Sequence, residues 1–175
     1  MSLCTLVDKD DTVVGYKERD QVEPGDIYRI TSLWVVNSKR EVLLAQRVMT
    51  KKNDPGKWGP AVAGTIENKE SYDEGVAKEA REELGITDVE FITGPKLFIK
   101  DNGYGMGYFC QTYIAKLDWP TEKFKAQAEE VAAIKWVAVP DLQRQVAAHP
   151  EQFTASFATS SAQMIEFVSR NIAAK

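Results

Sequence analysis

Residues 64–86 read GTIENKESYDEGVAKEAREELGI, and this stretch decides the fold. Ser71 followed by Glu74 has the pattern of a capping box, in which a hydroxyl and a carboxylate satisfy the free amides at a helix N-terminus. Gly85 stands where a left-handed residue ends a helix. Between them Val76, Ala80 and Leu84, with Ala77, form an apolar stripe at helical spacing, so a helix is predicted over Ser71–Leu84. Glu79, Glu82 and Glu83 are related by i, i+3 and i+4 and converge on one face, well to one side of that stripe. Like charges at these spacings cost an isolated helix about 0.2–0.5 kcal/mol per pair. They also gain nothing from the dipole in the C-terminal half of the helix. Two readings follow from the helix alone. One is a solvated, acid-rich face partnered by Lys78 and Arg81. The other is a site for a hard divalent cation, which takes oxygen ligands and bridges carboxylates to phosphates.

The charge of the whole chain sharpens the contrast. The 175 residues carry 22 basic and 26 acidic side chains, a net charge of −4, too acidic for a general nucleic-acid binder driven by phosphate neutralisation. Between Gly64 and Glu90 nine acids face three bases, so this segment holds −6 and the remainder +2. At 43% hydrophobic and 27% charged residues the composition is that of a globular domain with a core of its own. No apolar run reaches the roughly 18–20 residues of a membrane span, and Met1-Ser2-Leu3-Cys4 lacks the layout of a signal peptide. Cys4 and Cys110 have no metal or redox-motif spacing, so a reducing, cytoplasmic setting is expected.

Around the helix the pattern is mostly strand. Thr5–Val7 and Thr12–Gly15 flank the polar turn Asp8–Asp11, a predicted hairpin. Ile30–Val36 and Glu41–Val48 form a second pair across Asn37–Arg40. Lys51–Pro60, with Pro55-Gly56 and Gly59-Pro60, reads as a loop. Strands are predicted at Glu90–Ile99, Tyr108–Leu117 and Ala133–Val139, with a flexible loop at Asn102–Gly107. Helices are predicted over Pro140–Ala148 and about Ser160–Ala173, the last burying Ile165, Val168 and Ile172. Strands on both sides of a helix in this order give an α/β class, a mixed β-sheet sandwiched between α-helices. One domain is expected over 1–175, with the hairpin region at 1–28 and the C-terminal helices at 140–175.

The spacing from Gly64 to Ile86 closely resembles the Nudix box: Gly, five residues, Glu, seven residues, Arg-Glu-aliphatic-any-Glu-Glu-any-Gly-aliphatic. Of its nine fixed positions eight agree, and Lys78 stands where the family has Arg. Pro55-Gly56-Lys57-Trp58 also resembles the family's approach to the box. The resemblance implies a Nudix fold and a loop–helix–loop that holds Mg2+ or Mn2+ against a diphosphate. It implies hydrolysis of a nucleoside diphosphate linked to another moiety, with nucleoside di- or triphosphates the preferred guess. By position, Glu79, Glu82 and Glu83 are the implied metal ligands, helped by the Ala63 carbonyl. Glu79 or a later acid is the implied base, which makes Glu79, Glu83 and Glu130 the catalytic candidates, with Glu129 in reserve. Gly64, Glu70, Lys78 and Gly85 are implied to support the site. Lys78 keeps the positive charge of the family's Arg but lacks its fork, so a somewhat looser metal site is expected. For phosphates the candidates are Arg29 and Arg47, since an Arg fork grips paired oxygens; Lys57 is weaker. Tyr104, in the 103–107 loop, is the candidate substrate-facing aromatic, ahead of Trp34, Trp58, Tyr108 and Phe109. The expected partner is a small-molecule diphosphate, with no nucleic acid and no membrane, and a homodimer would be unsurprising.

Elements outside the box resemble isopentenyl-diphosphate isomerases, namely the Leu6-Val7-Asp8 hairpin, Val42–Arg47 and Glu130-Val131 to Trp136-Val137. Those isomerases need a Cys and a His-rich metal site just before the box. Trp58–Thr65 here holds neither residue type, and the single histidine, His149, lies beside Pro150. Alkene protonation needs an acid in that place, so isomerase activity is rejected and the architecture retained. A non-catalytic nucleotide-sensing domain is the remaining alternative, and three converging acids argue against it.

Overall fold

The computed structural model describes residues 3–172, with the side chain of Ile172 and all of 173–175 outside that range, as are Met1 and Ser2. Strands β1 (Leu3–Val7) and β2 (Val13–Glu18) form the N-terminal hairpin. It is followed by β3 (Ile27–Val36), β4 (Glu41–Arg47), β5 (Trp58–Pro60) and β6 (Val62–Thr65). Helix α1 (Tyr72–Leu84) comes next, then β7 (Ile92–Ile99), β8 (Gly107–Lys116) and β9 (Val131–Ala138). Helices α2 (Val139–Ala148) and α3 (Ala155–Ile172) close the described chain.

The centre of the sheet is β3. Along one edge it runs parallel to β8 over its whole length, Ile27 opposite Gly107 to Val36 opposite Lys116. Its other edge is shared in succession by β1, β6 and β4. β7 extends the sheet beyond β8, and β5 and β9 extend it from β4, all antiparallel. Side chains alternate across a strand, so β3 sends Leu33 and Val35 to one face and Trp34 and Val36 to the other. The first face packs on Val76, Ala80 and Leu84 of α1. The second packs on Leu142 of α2 and on Phe157, Met164, Ile165 and Val168 of α3. Helices therefore cover both faces, as the element order predicted.

Three differences from the sequence reading exceed a few residues at a strand end. The hairpin ends at Glu18, short of 28, and a 3-10 turn at Arg19–Gln21 follows it. The expected loop over 51–60 yields a strand at its end, where Trp58, Gly59 and Pro60 pair with Gln46, Ala45 and Leu44. A proline is tolerated there because Pro60 ends a three-residue strand. α3 begins at Ala155, five residues before the expected Ser160, because Thr154 caps it: its Oγ1 accepts from the Phe157 amide at 3.4 Å. The Ser/Thr-rich first turns hid this start, and those hydroxyls bond back into the helix, Thr159 to the Ala155 carbonyl and Ser160 to the Ser156 carbonyl.

Candidate active site

The box helix is fixed at both ends by the devices its sequence announced. Ser71 and Glu74 form the reciprocal capping box. Gly85 adopts φ 66°, and the Ile86 amide reaches back to the Ala80 carbonyl at 3.0 Å. Two further glycines bring the helix close. A Cβ on Gly64 of β6 would lie 2.5 Å from Glu79 Oε1, and one on Gly75 would run into Ile66. The helix can rest its acidic face on β6 only because Gly64 has no side chain.

Three acids meet one cation at the start of this face. The Lys78 ammonium stands 3.1 Å from Glu70 Oε1, 3.2 Å from Glu67 Oε1 and 3.5 Å from Glu79 Oε1. Glu70 in turn accepts the Glu67 amide at 3.0 Å, which shapes the loop before the helix. Burial pulls the Lys78 pKa down, but hydrogen bonds to Glu70 and Glu67 and the charge of Glu79 outweigh it and leave the pKa raised. A point cation here serves three carboxylates, where a fork would be directed at one.

Further along the helix Glu83 is deeply placed. Burial pushes its carboxyl pKa up to about 8, and the charges of Glu79 and Glu130 push the same way, against the Ala63 amide and Lys51. Glu79 is also raised, by burial first and then by Glu82, with Lys78 opposing. Glu130 is half-buried and forms an ion pair with Lys51. Glu129 is exposed. Glu82 faces solvent, its side chain 52% exposed and 3.6 Å from Arg81.

The ladder orients Ala63. The Ile66 amide donates to the Arg29 carbonyl at 2.9 Å, and hydrogen-bonded pairs alternate in an antiparallel ladder. Gly64 therefore bonds with Thr31, and the amide and carbonyl of Ala63 turn away from β3, with the amide beside Glu83. Glu79, Glu83, Glu130 and the Ala63 carbonyl would offer a hard divalent cation oxygen donors, the ligand type it takes. Such a cation would displace Lys78 from Glu79 and Lys51 from Glu130, and would favour the ionised form of Glu83 that burial disfavours. Among the described residues no three acidic, His or Cys side chains enclose an ion as they stand.

The phosphate candidates are engaged elsewhere. Arg29 Nε donates to Asp11 Oδ1 at 2.7 Å, and its guanidinium lies 5.2 Å from the Tyr72 ring centroid. Arg47 Nε donates to the Asn53 carbonyl at 3.1 Å and so ties down the loop after β4. Lys57 pairs with Asp54 at 3.0 Å. Tyr104 is exposed at the tip of the 101–106 loop, which leans on Pro24 and Gly25. Trp34 is core; Trp58 is half-buried with the Lys135 ammonium 4.1 Å from its ring centroid. Three cations escaped the sequence reading: Lys51, Lys135 and Arg19. Arg19 is exposed, hydrogen-bonds Thr65 Oγ1 and makes no ion pair among the described residues. Nothing in spacing marks it, since it follows the hairpin and reaches β6 only through the fold.

No thiol offers acid chemistry. Burial pushes the Cys110 thiol up to about 12, and its Sγ donates to Ser32 Oγ at 3.5 Å. Cys4 is also buried and raised. His149 is exposed beside Glu151.

A mixed sheet between helices, with a loop–helix–loop presenting carboxylates to a glycine-floored strand, defines a class of acid-anhydride hydrolases. The chain belongs to the Nudix family: the NUDIX domain model matches residues 28–157. It is 30% identical over 136 residues to an uncharacterised Nudix hydrolase of Pseudomonas aeruginosa, covering 77% of this chain and 78% of that one. It is 29% identical over 154 residues to a prenyl-diphosphate phosphatase of Methanosarcina mazei, covering 85% and 86%. Isopentenyl-diphosphate isomerases are also similar, that of Escherichia coli at 29% over 131 residues, covering 70% and 68%. A crystal structure of a Deinococcus radiodurans protein shares the fold with a TM-score of 0.78 at 20% identity, covering 94% of this chain and 97% of that one. By class the protein is a Nudix pyrophosphohydrolase. Among the described residues no helix is long and apolar enough to cross a membrane.

Proposed function

We propose that this protein hydrolyses a phosphoanhydride bond of an organic diphosphate with Mg2+ or Mn2+, in a single domain of the cytoplasm. One observation supports the reading most: Glu83, beside the Ala63 amide, has its pKa raised by burial first and then by Glu79 and Glu130, as befits acids drawn closer together and deeper than on a solvated face. In this reading Glu79, Glu83 and the Ala63 carbonyl hold the metal, with Glu82 and Glu130 closing on it. The metal supplies charge compensation on the phosphates and a more acidic bound water. Water oxygen bonds to one phosphorus, the bridging P–O bond breaks, and the released proton passes to a carboxylate, Glu79 or Glu130. Catalysis of this kind rests on positioning and electrostatics. Arg19 and Lys51 are the cations best placed for the phosphates, in preference to Arg29.

The box resemblance favours a nucleoside-linked diphosphate, while the Methanosarcina mazei relative is named for prenyl diphosphates. Both share the phosphoanhydride. The test is phosphate release from a panel of nucleoside and alkyl diphosphates with Mg2+ or Mn2+. Turnover is expected, and Glu82→Gln and Glu83→Gln are expected to abolish it with the melting temperature retained. Absence of turnover across the panel, with one member still raising the melting temperature, would make the domain a sensor.

A further inference from the structure

We infer that the organic group of the substrate is a hydrocarbon, held on the sheet face formed by Tyr28, Ile30, Ile99 and Tyr108 beside Ala63. This rests on the diphosphate-hydrolysis reading above and names its substrate class. Three relationships carry it.

The first is continuity. Ala63 pairs with Ser32, and Thr65 with Ile30, so their side chains share the face of Tyr28, Ile30 and Ser32. Tyr108 and Cys110 of β8 stand opposite Tyr28 and Ile30 in register and join that face. Ala63 is thus a junction: its amide meets the carboxylate of Glu83, and its exposed methyl group opens onto this patch. The acids rest against the opposite face of β6, at Gly64, so a diphosphate held by them would pass its substituent round the β6 edge at Ala63, where the amide and carbonyl turn away from β3, onto this patch.

The second is composition. Leu97, Tyr108 and Cys110 form a small apolar cluster of their own, with Tyr28, Ile30 and Ile99 half-exposed around it. It is separate from the cluster under α2 and α3. Ser156 near the start of α3 bounds it at one side through the Tyr108 hydroxyl, and Asn102 of the 101–106 loop at the other through Tyr28.

The third is the state of its polar atoms. The Tyr28 hydroxyl accepts from Asn102 Nδ2 at 3.3 Å, the Cys110 thiol donates to Ser32, and the Tyr108 hydroxyl bonds with Ser156. Among the described residues no buried side-chain N or O lacks a partner. Reading a base edge needs convergent donors and acceptors; Arg19, which reaches this face at Thr65, is assigned to the phosphates, so a base placed here would leave its own polar atoms unmatched. The two tyrosine rings, 5.7 Å apart and tilted by 47°, pack on each other and form no parallel slot for a base. An alkyl chain asks only for apolar contact.

The experiment uses the full chain with n-alkyl diphosphates of two to ten carbons, ADP and inorganic pyrophosphate, and in parallel the non-hydrolysable alkyl and adenosine methylene-bisphosphonates. In the reaction water attacks the terminal phosphorus, and alkyl phosphate and inorganic phosphate leave. KM is expected to fall about fourfold per added methylene until the face is covered. Ile30→Asn should raise KM for the longer chains at least tenfold while KM for inorganic pyrophosphate stays unchanged, the variant remaining folded with a melting temperature lowered by its lost packing on Leu97, Tyr108 and Cys110. Tighter binding of the adenosine analogue, or alkyl affinity independent of chain length, overturns the hydrocarbon site and leaves the hydrolysis reading intact. Chain-length-dependent thermal stabilisation by the alkyl bisphosphonates, lost in Ile30→Asn but with no diphosphate turned over, upholds the site and overturns the hydrolysis.

Discussion

Gly64 and Glu79 exclude any side chain between them: a Cβ on the glycine would stand 2.5 Å from Glu79 Oε1, while the backbone at Gly64 is not left-handed and any residue could adopt it. Gly64→Ala therefore tests contact alone, free of backbone strain. The alanine methyl must push the Glu79 carboxylate off β6. We expect folding to survive, because the flexible end of a partly solvated side chain can yield, and turnover with Mg2+ to fall on the order of a hundredfold, about 2.7 kcal/mol of lost transition-state stabilisation. Circular dichroism and kcat/KM on one preparation separate the two effects. Undiminished turnover would remove Glu79 from the site.

Lys78 makes three carboxylate contacts where the family has an Arg, at 3.1, 3.2 and 3.5 Å from Glu70, Glu67 and Glu79. A lysine spread over three partners holds each loosely, whereas a guanidinium would grip one in a fork. Lys78→Arg is expected to lower the Mg2+ concentration for half-maximal activity by about threefold, or about 0.7 kcal/mol. Titration of activity against Mg2+ checks it, and an unchanged midpoint would mean that the fork has no role in this chain.

How far these contacts were legible depends on their range along the chain. The capping box, Gly85 and the apolar stripe of α1 are local signals, and they appear as read. Gly64, Glu70 and Lys78 were legible only through the box spacing. Arg29 misled because it lies on a strand leading to the box, and the acid that occupies it, Asp11, comes from the hairpin turn 18 residues earlier. Arg19 and Lys51 were missed for the converse reason, since their partners Thr65 and Glu130 are brought to them by the sheet and not by spacing. The alternation of Ala63 between carboxylate and apolar face needed the register of β6 on β3.

Asp11 binds Arg29 Nε at 2.7 Å and the Lys96 ammonium at 2.6 Å, and accepts the Tyr72 hydroxyl at 3.1 Å. It thereby ties the hairpin turn to β3, β7 and the first residue of α1. Burial works against the ionised form, yet hydrogen bonds from Lys96 and Arg29 hold its pKa below the usual carboxylate range. Its contribution is therefore present above the unfolded pKa, near 4, and is lost as pH falls through the lower folded value. Asp11→Asn should destabilise the fold by about 2 kcal/mol at pH 7 by leaving the part-buried Arg29 and the exposed Lys96 facing a neutral group. The difference from wild type should shrink as pH falls below the unfolded value, as denaturant titrations at several pH values would show. If Asp11→Asn instead left stability alone and altered KM, Arg29 would belong with the phosphates after all.

Glu83 has the opposite sign. Its pKa is raised to about 8 by burial and by Glu79 and Glu130, so between the ordinary glutamate value near 4.3 and pH 8 the folded chain holds a proton that the unfolded chain has lost. Stability should accordingly decline as pH rises through that interval, by a few kcal/mol in all, and Glu83→Gln should flatten the slope. A divalent cation reverses the preference, because it ligates the carboxylate and not the acid. At pH 7 Mg2+ binding should then release close to one proton, seen calorimetrically as a binding enthalpy that varies with the ionisation enthalpy of the buffer. Glu83→Gln should abolish that variation. If wild-type binding released no proton, either Glu83 would already be ionised or the metal would not reach it, and the slope of stability against pH in the metal-free chain tells these apart.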